Sequence, residues 1–354
     1  MFIVKWVVKA VNILCAIALA VAFICPHFSP QTLPYISTVG FVVPFLIIVN
    51  IFFVILWAIR LNIFVLYSVF ALLVGMGQLG HFFAVGSSSK PDSVDTLRIV
   101  SYNVHGFSYK KSKGGEPAEK IYWEIVKYAP DIVCFQEYAP RKINLPGLKY
   151  SYVQNHGWFG DAIFSRYPIV GQGTLNFQRT QNNAIYADIL LPDKKIIRVY
   201  SVHLQSLGIT ADEVNELASL SSDKLKSRAK GLLWRINSGF VRQQAQVEAV
   251  RASMDRSPYP CIVTGDFNNT PFSYSFLKIY GDNMQDAFSK AGFGFGKTFR
   301  EIKLYPLRID FILSDKEAFK VNRFSTIHSD ASDHNGITAL LSLKDAKEKQ
   351  KEEQ

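Results

Sequence analysis

The hydrophobic pattern divides the chain into two unlike parts, and the first quarter is almost continuously apolar. Three long apolar runs lie at about 6–25, 36–59 and 63–85. Each run approaches or exceeds the roughly 20 residues that a helix needs to cross about 30 Å of hydrocarbon. Prolines separate the first two runs, and a short polar link at 60–62 separates the second from the third. The pattern therefore predicts three transmembrane helices in an anchor that comprises residues 1–87.

The first apolar run also resembles a cleaved signal peptide, because a basic start precedes its apolar middle. Residues 22–27 match a small-residue cleavage site poorly, which favours a retained helix. The Phe23-Ile24 pair is also unlike the residues expected before a lipid-modified Cys25. A retained helix is the prediction, and a signal peptide is the alternative.

Beyond a polar linker at 88–96, the pattern changes to short β-branched runs interspersed with helical periodicity. Strands mixed with helices predict one α/β domain over 97–343, followed by a solvated tail at 344–354. The predicted strands are 97–102, 131–135, 162–164, 185–191, 196–202, 261–264, 309–313 and 336–343, and the predicted helices are 116–128, 211–220 and 240–254.

Charge follows the same division of the chain. Residues 1–87 contain Lys5, Lys9 and Arg60 but no Asp or Glu. The other 36 of the 39 basic residues and all 29 acidic residues lie beyond them, which gives that part +7 of the total net charge of +10. Such a split excludes a single soluble globule and a disordered chain. Since basic short loops stay in the cytoplasm, three crossings place the C-terminal domain outside it, whereas losing the first span would reverse this orientation.

The cysteines give a weaker indication of the compartment. Cys134 and Cys261 lie within apolar strand runs, where buried free thiols are expected, and no spacing is typical of a zinc site. A domain of this size can lie outside the cytoplasm without disulfides.

Polar residues stand where the predicted strands begin or end. Because strand ends converge on one rim in sheet proteins of this kind, these side chains are expected to form one site. Acidic and amide oxygens together suit a hard divalent cation such as Mg²⁺, and imidazoles can hold a phosphate or move protons. The residues are Asn103, Glu137, His203, Asp266, Asn268, Asp310, Asp333 and His334.

Seven short motifs in order over 97–343 resemble the endonuclease/exonuclease/phosphatase superfamily. Each motif is modest alone, but the ordered set is specific. The motifs are Ser-Tyr-Asn-Val-His-Gly (101–106), Asp-Ile-Val-Cys-Phe-Gln-Glu (131–137), Ile-Phe-Ser-Arg-Tyr-Pro-Ile (163–169), Ser-Val-His-Leu (201–204), Gly-Asp-Phe-Asn (265–268), Arg-Ile-Asp-Phe (308–311) and Ser-Asp-His (332–334).

The resemblance implies a four-layer α/β sandwich, in which two packed sheets are flanked by helices, and metal-dependent cleavage of phosphate esters. It implies that Glu137 is the principal metal ligand, with Asn103 and Asp333 nearby. The implied cofactor is Mg²⁺, with Mn²⁺ as an alternative.

The resemblance also implies roles for five catalytic residues. Asp266 would orient or deprotonate the attacking water, and Asn268 would help to position the water and the phosphate. Asp310 would hold His334 by a hydrogen bond. His203 would contact the phosphate or donate a proton. A preorganised site of this kind stabilises the charge that develops on the phosphoryl oxygens.

Some motif positions depart from the family pattern or stay open. His105 stands where some nucleases have an acid, which puts a second metal-ligand role there in doubt. Arg166 is interpreted as structural. Asn182 and Asn183 precede a strand where some nucleases have a phosphate-binding arginine, and a role for either is a guess.

Two functions from different classes follow from the sequence. The first is a multi-pass, membrane-anchored, Mg²⁺-dependent phosphoesterase that acts on nucleic acid or on a phospholipid head group. The second is a catalytically silent binding or scaffold protein on the same fold, which the loss of Glu137, Asp266 or His334 would indicate. All three residues are present. The sequence indicates no protein partner.

Overall fold

The computed structural model describes residues 2–90, 96–109, 115–140, 143–210, 213, 222–302 and 305–344. Most of the predicted linker 88–96, of the predicted helix 211–220 and of the predicted tail 344–354 lies outside these residues.

The N-terminal quarter consists of helices joined by two short 3₁₀ turns. Helices α1 to α3 pack against one another, and α4 turns away from them at Gly75. The bounds are α1 Phe2–Ile24, α2 Val43–Ile59, α3 Val65–Val74 and α4 Met76–Phe82, with 3₁₀ turns at Cys25–His27 and Ile36–Phe41.

The prediction of three membrane-crossing helices needs correction. Within the described residues, one helix, Val4–His27, is long and apolar enough to cross a membrane. Helix α2 has 17 residues, and α3 with α4 form a pair that is bent by 79°. The bend lies at Gly75, where a Cβ would lie 2.1 Å from the Phe23 ring, so α3 ends where its backbone packs closely on α1. With ten residues, α3 is only about 15 Å long.

Helices α1 to α3 bury a few polar side chains among apolar ones such as Leu19 and Ile47, and they expose apolar side chains on the outside. Asn12 Nδ2 donates to Ser68 Oγ at 2.7 Å, and Asn50 Nδ2 donates to the carbonyl oxygens of Cys15 and Leu46 at 3.1 and 2.9 Å. Asn12, Asn50 and Ser68 are fully buried. Large apolar side chains are exposed along all three helices, among them Leu14, Ile17, Phe52, Ile55, Phe70 and Leu73.

The rest of the chain forms two six-stranded sheets. The first sheet has the order β13 (Phe319–Ile327), β14 (Gly336–Leu343), β2 (Thr96–Asn103), β3 (Ile132–Tyr138), β5 (Phe159–Ser165) and β4 (Tyr150–His156). The second sheet has the order β10 (Met284–Asp286), β12 (Asp310–Asp315), β9 (Cys261–Asp266), β8 (Ile196–His203), β7 (Ala184–Leu190) and β6 (Ile169–Thr174). A short pair, β1 (Ala84–Val85) and β11 (Phe293–Gly294), joins the end of the N-terminal quarter to the domain.

Both sheets are mixed, and each has one central parallel pair, β2 with β3 and β8 with β9. Alternating side chains from their facing sides form the main core, such as Ile99 and Cys134 from the first sheet and Val199 and Ile262 from the second. Cys134 and Cys261 are buried and free, as the sequence predicts.

Helices cover the outer face of each sheet. Helix α5 (Pro117–Val126) packs Ile121 and Ile125 on the first sheet. Helices α6 (Ser222–Asp255) and α7 (Tyr274–Tyr280) pack Val247, Val250 and Phe276 on the second sheet, and the short α8 (Ala287–Ala291) follows β10. The order helix, sheet, sheet, helix confirms the predicted four-layer α/β sandwich.

The N-terminal helices pack directly against the sandwich. The Phe23 and Phe272 rings lie 6.1 Å apart, centroid to centroid. Tyr305 Oη donates to the carbonyl oxygen of Phe41 at 3.0 Å, and the Tyr305 ring lies 5.4 Å from that of Phe45. The two parts of the chain therefore share a packed interface in addition to the linker.

A buried ion pair lies at this interface. Arg308 Nη2 lies 2.8 Å from Asp286 Oδ2 and donates to the carbonyl oxygen of His81 at 3.0 Å. His81 Nδ1 lies 2.9 Å from the same Asp286 oxygen. The guanidinium group also lies 4.5 Å from the ring centroids of Phe288 and Phe311, so its charge is enclosed by partners.

Candidate active site

The ends of four central strands converge at one edge of the sandwich. Asn103 ends β2 and His203 ends β8. Asp266 ends β9, where it pairs with His203 on one side and with Asp310, the first residue of β12, on the other. Strand β9 lies between its parallel neighbour β8 and its antiparallel neighbour β12. This pairing brings His203, Asp266 and Asp310 together at the same edge of the second sheet. Gly265 permits this arrangement, since its φ is +136° and a Cβ would lie 2.0 Å from a neighbouring backbone oxygen.

Glu137 reaches the same edge through a β-bulge. The register of β3 against β5 shifts between Phe135 and Tyr138, so that two residues face one across the pair. Glu137 has a φ of +50°, and Asn268 and His105 have similar values of +49° and +46°. A positive φ is energetically costly for a residue other than glycine, and residues with this conformation cluster at functional sites. The conformation of these three residues therefore supports a functional role for them.

The side chain of Asn103 connects the two sheets. Its Nδ2 donates to Glu137 Oε1 at 3.1 Å and to Asp266 Oδ2 at 3.0 Å. Its Oδ1 accepts the backbone N–H of His105 at 3.1 Å. The buried amide therefore fixes the positions of one carboxylate from each sheet.

His334 and Asp310 form a buried dyad. His334 Nδ1 lies 2.9 Å from Asp310 Oδ2, and Nε2 lies 3.7 Å from Asp266 Oδ2. Burial opposes the charged ring, but the Asp310 and Asp266 carboxylates raise the pKa of His334 well above the usual range. The geometry thus favours an imidazolium ion whose orientation is fixed by Asp310.

Asp266 has the environment of a base at neutral pH. Burial raises the pKa of Asp266 to about 7, although the His334 charge opposes this shift. Its Oδ1 accepts the backbone N–H of Asn268 at 2.7 Å, and Asn268 Nδ2 donates to the carbonyl oxygen of Leu204 at 3.0 Å. A carboxylate with a pKa near the ambient pH is suited to proton transfer.

His203 lies on the other side of the two carboxylates. Its Nε2 is 3.8 Å from Glu137 Oε1 and 3.8 Å from Asp266 Oδ2. Asn182 Nδ2 lies 2.8 Å from this nitrogen and also donates to the carbonyl oxygen of Leu204 at 3.1 Å. Burial lowers the pKa of His203. Asn182 therefore positions His203, a role that the sequence alone left as a guess.

Asp333 and His105 lie at the exposed side of the site. His105 Nδ1 is 3.2 Å from Asp333 Oδ1 and 3.8 Å from Glu137 Oε2. The hydrogen bond to Asp333 raises the pKa of His105. Burial favours the neutral acid, but the bond from His105 and the charge of His334 lower the pKa of Asp333 to about 2. Asp333 is therefore ionised at neutral pH.

These groups open into a cleft of about 870 Å³, within the size range of small-molecule sites. The polar part of its lining includes Glu137, Asp266, Asn268, Asp333 and His334. The rest of the described lining is mostly apolar and includes Phe41, Val42, Phe45, Leu207, Ile209, Ile302, Tyr305, Leu307 and Ile309.

The donor set fits a hard divalent cation. Glu137 and Asp333 present partly exposed carboxylates to the cleft on either side of one ring nitrogen of His105, and such oxygens are what Mg²⁺ prefers. A second group, Asp266, Asp310 and His334, places its ligand atoms within 4.8 Å of one another. That group suits a metal less well, because its atoms already have partners: His334 Nδ1 lies 2.9 Å from Asp310 Oδ2, and Asp266 Oδ2 accepts a hydrogen bond from Asn103 at 3.0 Å.

The structure adds Asp161, which the motif analysis did not single out. Asp161 lies on β5, opposite the bulge that carries Glu137, and is almost fully buried with Oδ1 lacking a hydrogen-bond partner. Burial, with the nearby charges of Glu137 and Asp266, raises its pKa well above the usual range. The sequence offers one sign of this position: Asp161 is a single acidic residue directly before the apolar run Ala162–Phe164.

Arg166 and Asn183 lie away from the carboxylate cluster. Arg166 Nε pairs with Asp131 Oδ1 at 2.8 Å at the opposite end of β5, which agrees with its interpretation as structural. Asn183 Nδ2 contacts His156 Nε2 and donates to Thr174 Oγ1 at 2.6 Å, and its Oδ1 accepts a backbone N–H. Asn183 thus supports the local loop.

Comparisons with protein families match both parts of the chain. The model described as "Endonuclease/Exonuclease/phosphatase family" matches residues 100–334. The model described as "Domain of unknown function (DUF8431)" matches residues 5–82. A search of curated proteins found no match.

Solved structures share the sandwich fold at low sequence identity. An endonuclease/exonuclease/phosphatase from Beutenbergia cavernae is 18% identical with a TM-score of 0.50, and the match covers 71% of this chain and 72% of that one. The human Nocturnin catalytic domain is 17% identical with a TM-score of 0.51, covering 71% and 94%. A functionally unknown conserved protein from Enterococcus faecalis is 15% identical with a TM-score of 0.52, covering 70% and 100%. At these identities the likeness concerns the fold.

Proposed function

The chain belongs to the endonuclease/exonuclease/phosphatase family, and we propose that it hydrolyses a phosphate ester by in-line attack of an activated water molecule. The observation that supports this most is the contact of Asn103 with both Glu137 and Asp266, because it gathers carboxylates from two sheets at one cleft. The His334–Asp310 dyad adds a fixed positive charge beside them.

Glu137 would hold the metal ion, with Asp333 and Asn103 nearby. Mg²⁺ is the proposed ion, with Mn²⁺ as an alternative, because oxygen ligands dominate this side of the site. When bound, the ion would supply positive charge to the phosphoryl oxygens. Asn103 holds one Glu137 oxygen, and His105 lies beside the other, so the carboxylate is oriented from both sides.

Asp266 would accept the proton of the attacking water. Its pKa near 7 keeps it available as a base at neutral pH. The backbone N–H of Asn268 holds one Asp266 oxygen at 2.7 Å, which leaves the other directed toward Asn103 and the two imidazoles. Asn268 would help to position the water and the phosphate.

Two histidines would serve the phosphate. His334, kept charged by Asp310, would stabilise negative charge on a phosphoryl oxygen without reorganisation during the reaction. His203, whose pKa is lowered by burial and whose ring is held by Asn182, would contact the phosphate or pass a proton to the leaving group.

We further propose that residues 1–87 embed the protein in a membrane and that the domain 97–343 lies outside the cytoplasm. One helix has the length to cross. The large apolar side chains that α1 to α3 expose on their outer faces support embedding of the whole bundle, because the exposed faces of soluble helices are mainly polar.

The test uses the full-length protein in detergent with chromogenic phosphate mono- and diesters. We expect turnover with Mg²⁺, loss of turnover in EDTA, and a decrease in kcat/KM of about 10²-fold or more for Glu137→Gln and Asp266→Asn. Matched controls are Glu317→Gln and Asp282→Asn, since both residues lie in turns at the opposite end of the second sheet. The controls should retain wild-type turnover.

Two outcomes would count against the proposal. Turnover that survives EDTA, or that Glu137→Gln leaves unchanged, would contradict the metal-dependent mechanism. Absence of turnover on every mono- and diester would instead favour a binding function.

A further inference from the structure

The lining of the cleft beside the carboxylate cluster has two chemically different parts. Glu137, Asp333 and His334 belong to the polar part, and Phe41, Phe45 and Ile209 belong to an apolar wall. A phosphate group alone needs only the polar part. The apolar wall therefore favours a substrate with an apolar group, because such a group gains binding free energy when it leaves water for this wall.

Part of the apolar wall comes from the N-terminal quarter rather than from the sandwich. Phe41 and Val42 precede helix α2, and Phe45 lies in its first turn. Tyr305 of the sandwich fixes this segment by its bond to the Phe41 carbonyl oxygen and its ring contact with Phe45. The catalytic cleft is thus completed by residues of the proposed membrane anchor.

The apolar wall continues without interruption along α2. Phe45, Ile48, Phe52, Ile55 and Ile59 follow one another at helical spacing of three and four residues and are 53% to 77% exposed. Such a stripe on a helix faces lipid when the helix is embedded in a membrane. A hydrocarbon chain lying against this stripe would reach Phe45, which lines the same cleft as Glu137.

The charge of the lining separates this substrate from a nucleic acid. A polynucleotide is held mainly by Lys and Arg contacts to successive phosphates. Within the described part of the cleft, no lining residue is Lys or Arg, and three of them are acidic carboxylates besides Asp266.

We propose that the substrate is a phosphate ester of a membrane lipid, which enters from the bilayer with its hydrocarbon chain along α2 and its phosphate at Glu137. This inference rests on the proposed hydrolase function and specifies its substrate class. The anchor then selects the substrate in addition to holding the enzyme at the membrane.

The test compares two diesters with the same leaving group, methyl p-nitrophenyl phosphate and octyl p-nitrophenyl phosphate, on the full-length protein in one detergent. Because each buried methylene contributes on the order of a fourfold gain, we expect kcat/KM for the octyl ester to exceed that for the methyl ester at least tenfold. Phe45→Ser and Ile209→Ser should each lower this ratio at least threefold, because the methyl ester lacks the chain that these side chains would contact. Phe70→Ser is the matched control, since Phe70 is a similarly exposed aromatic residue on α3 that neither lines the cleft nor belongs to the α2 stripe, and it should retain the ratio.

A second measurement tests access from the bilayer. The protein is reconstituted in phosphatidylcholine vesicles that contain octadecyl p-nitrophenyl phosphate, and release of p-nitrophenolate is expected in wild type and lost in Glu137→Gln. Equal hydrolysis of the methyl and octyl esters, or an unchanged ratio in both cleft variants, would overturn the lipid inference and leave the hydrolase proposal standing. Faster cleavage of a single-stranded oligonucleotide, unaffected by Phe45→Ser, would overturn it in favour of nucleic acid. Hydrolysis of no ester at all would overturn the hydrolase proposal itself.

Discussion

Replacing Asp286 by Asn tests how strongly the buried ion pair holds the N-terminal helices on the sandwich. Asp286 is 0% exposed and Arg308 is 3% exposed, and one Asp286 oxygen receives both Arg308 and His81. Asn preserves the side-chain shape but removes the charge, which leaves the guanidinium buried without its counter-charge. Removing one partner of such a pair costs about 3–5 kcal/mol.

The pKa of Asp286 gives a second measure of the same contribution. Burial favours the neutral acid, but Arg308 and His81 lower the pKa of Asp286 to about 2, from 3.8 for a free side chain. That difference corresponds to roughly 2 kcal/mol of stability at neutral pH. Because the folded-state pKa is the lower one, this stability is complete above about pH 4 and is lost as the pH falls toward 2. The Asn variant should lack this loss.

The assay is unfolding of the full-length protein in detergent, followed at neutral and acid pH. The matched control is Asp255→Asn, which breaks a 2.6 Å ion pair with Arg251 that is 54% exposed on the Asp255 side. An exposed pair contributes about 0–1 kcal/mol, so the control should be nearly as stable as wild type. If Asp286→Asn destabilises the protein no more than Asp255→Asn, the reasoning from burial is refuted.

Three further substitutions test the site and its strands. Asp310→Asn should lower kcat at least 10²-fold and shift the alkaline limb of the pH–rate profile to lower pH, because His334 loses the carboxylate that raises its pKa. Gly265→Ala should destabilise the fold by about 3 kcal/mol or more in denaturant titrations, whereas Gly77→Ala, where a Cβ meets nothing within 4 Å, should not. Asp161→Asn should stabilise the protein at pH 7, because burial raises the pKa of Asp161 in the folded state and the acid therefore lowers the free energy of unfolding at that pH. Melting temperatures should show this gain in stability at pH 7 and its loss near pH 4, where the unfolded chain is also protonated.

The strands that carry the motifs were predictable because their apolar runs are buried on both faces. The observed β2, β8, β9 and β14 lie within a few residues of the predicted ranges. The edge strands of both sheets, β4, β13, β6 and β10, were missed. In β4 most side chains are exposed or half-buried, so no apolar run distinguishes it from a loop, and only pairing with β5 defines it as a strand.

The site was predictable as a set of residues but not as a geometry. The motif order identified Asn103, Glu137 and Asp266, yet their contact across two sheets depends on how the sheets pack. Glu137 also depends on a bulge, whose position follows from pairing with β5 and has no local sequence sign. The predicted third span failed for a similar reason, since Gly75 ends α3 through its contact with Phe23, a residue 52 positions earlier in the sequence.

The arrangement of the helices supports the proposed orientation of the domain 97–343. Lys9 Nζ lies 4.6 Å from the Phe64 ring centroid, which places the beginning of α1 beside the beginning of α3. Phe23 near the other end of α1 contacts Phe272 of the sandwich. The basic residues Lys9 and Arg60 therefore lie at the end of the bundle that is remote from the catalytic domain. Since basic residues near membrane-crossing helices remain in the cytoplasm, this arrangement supports the proposal that the cleft faces the other side of the membrane.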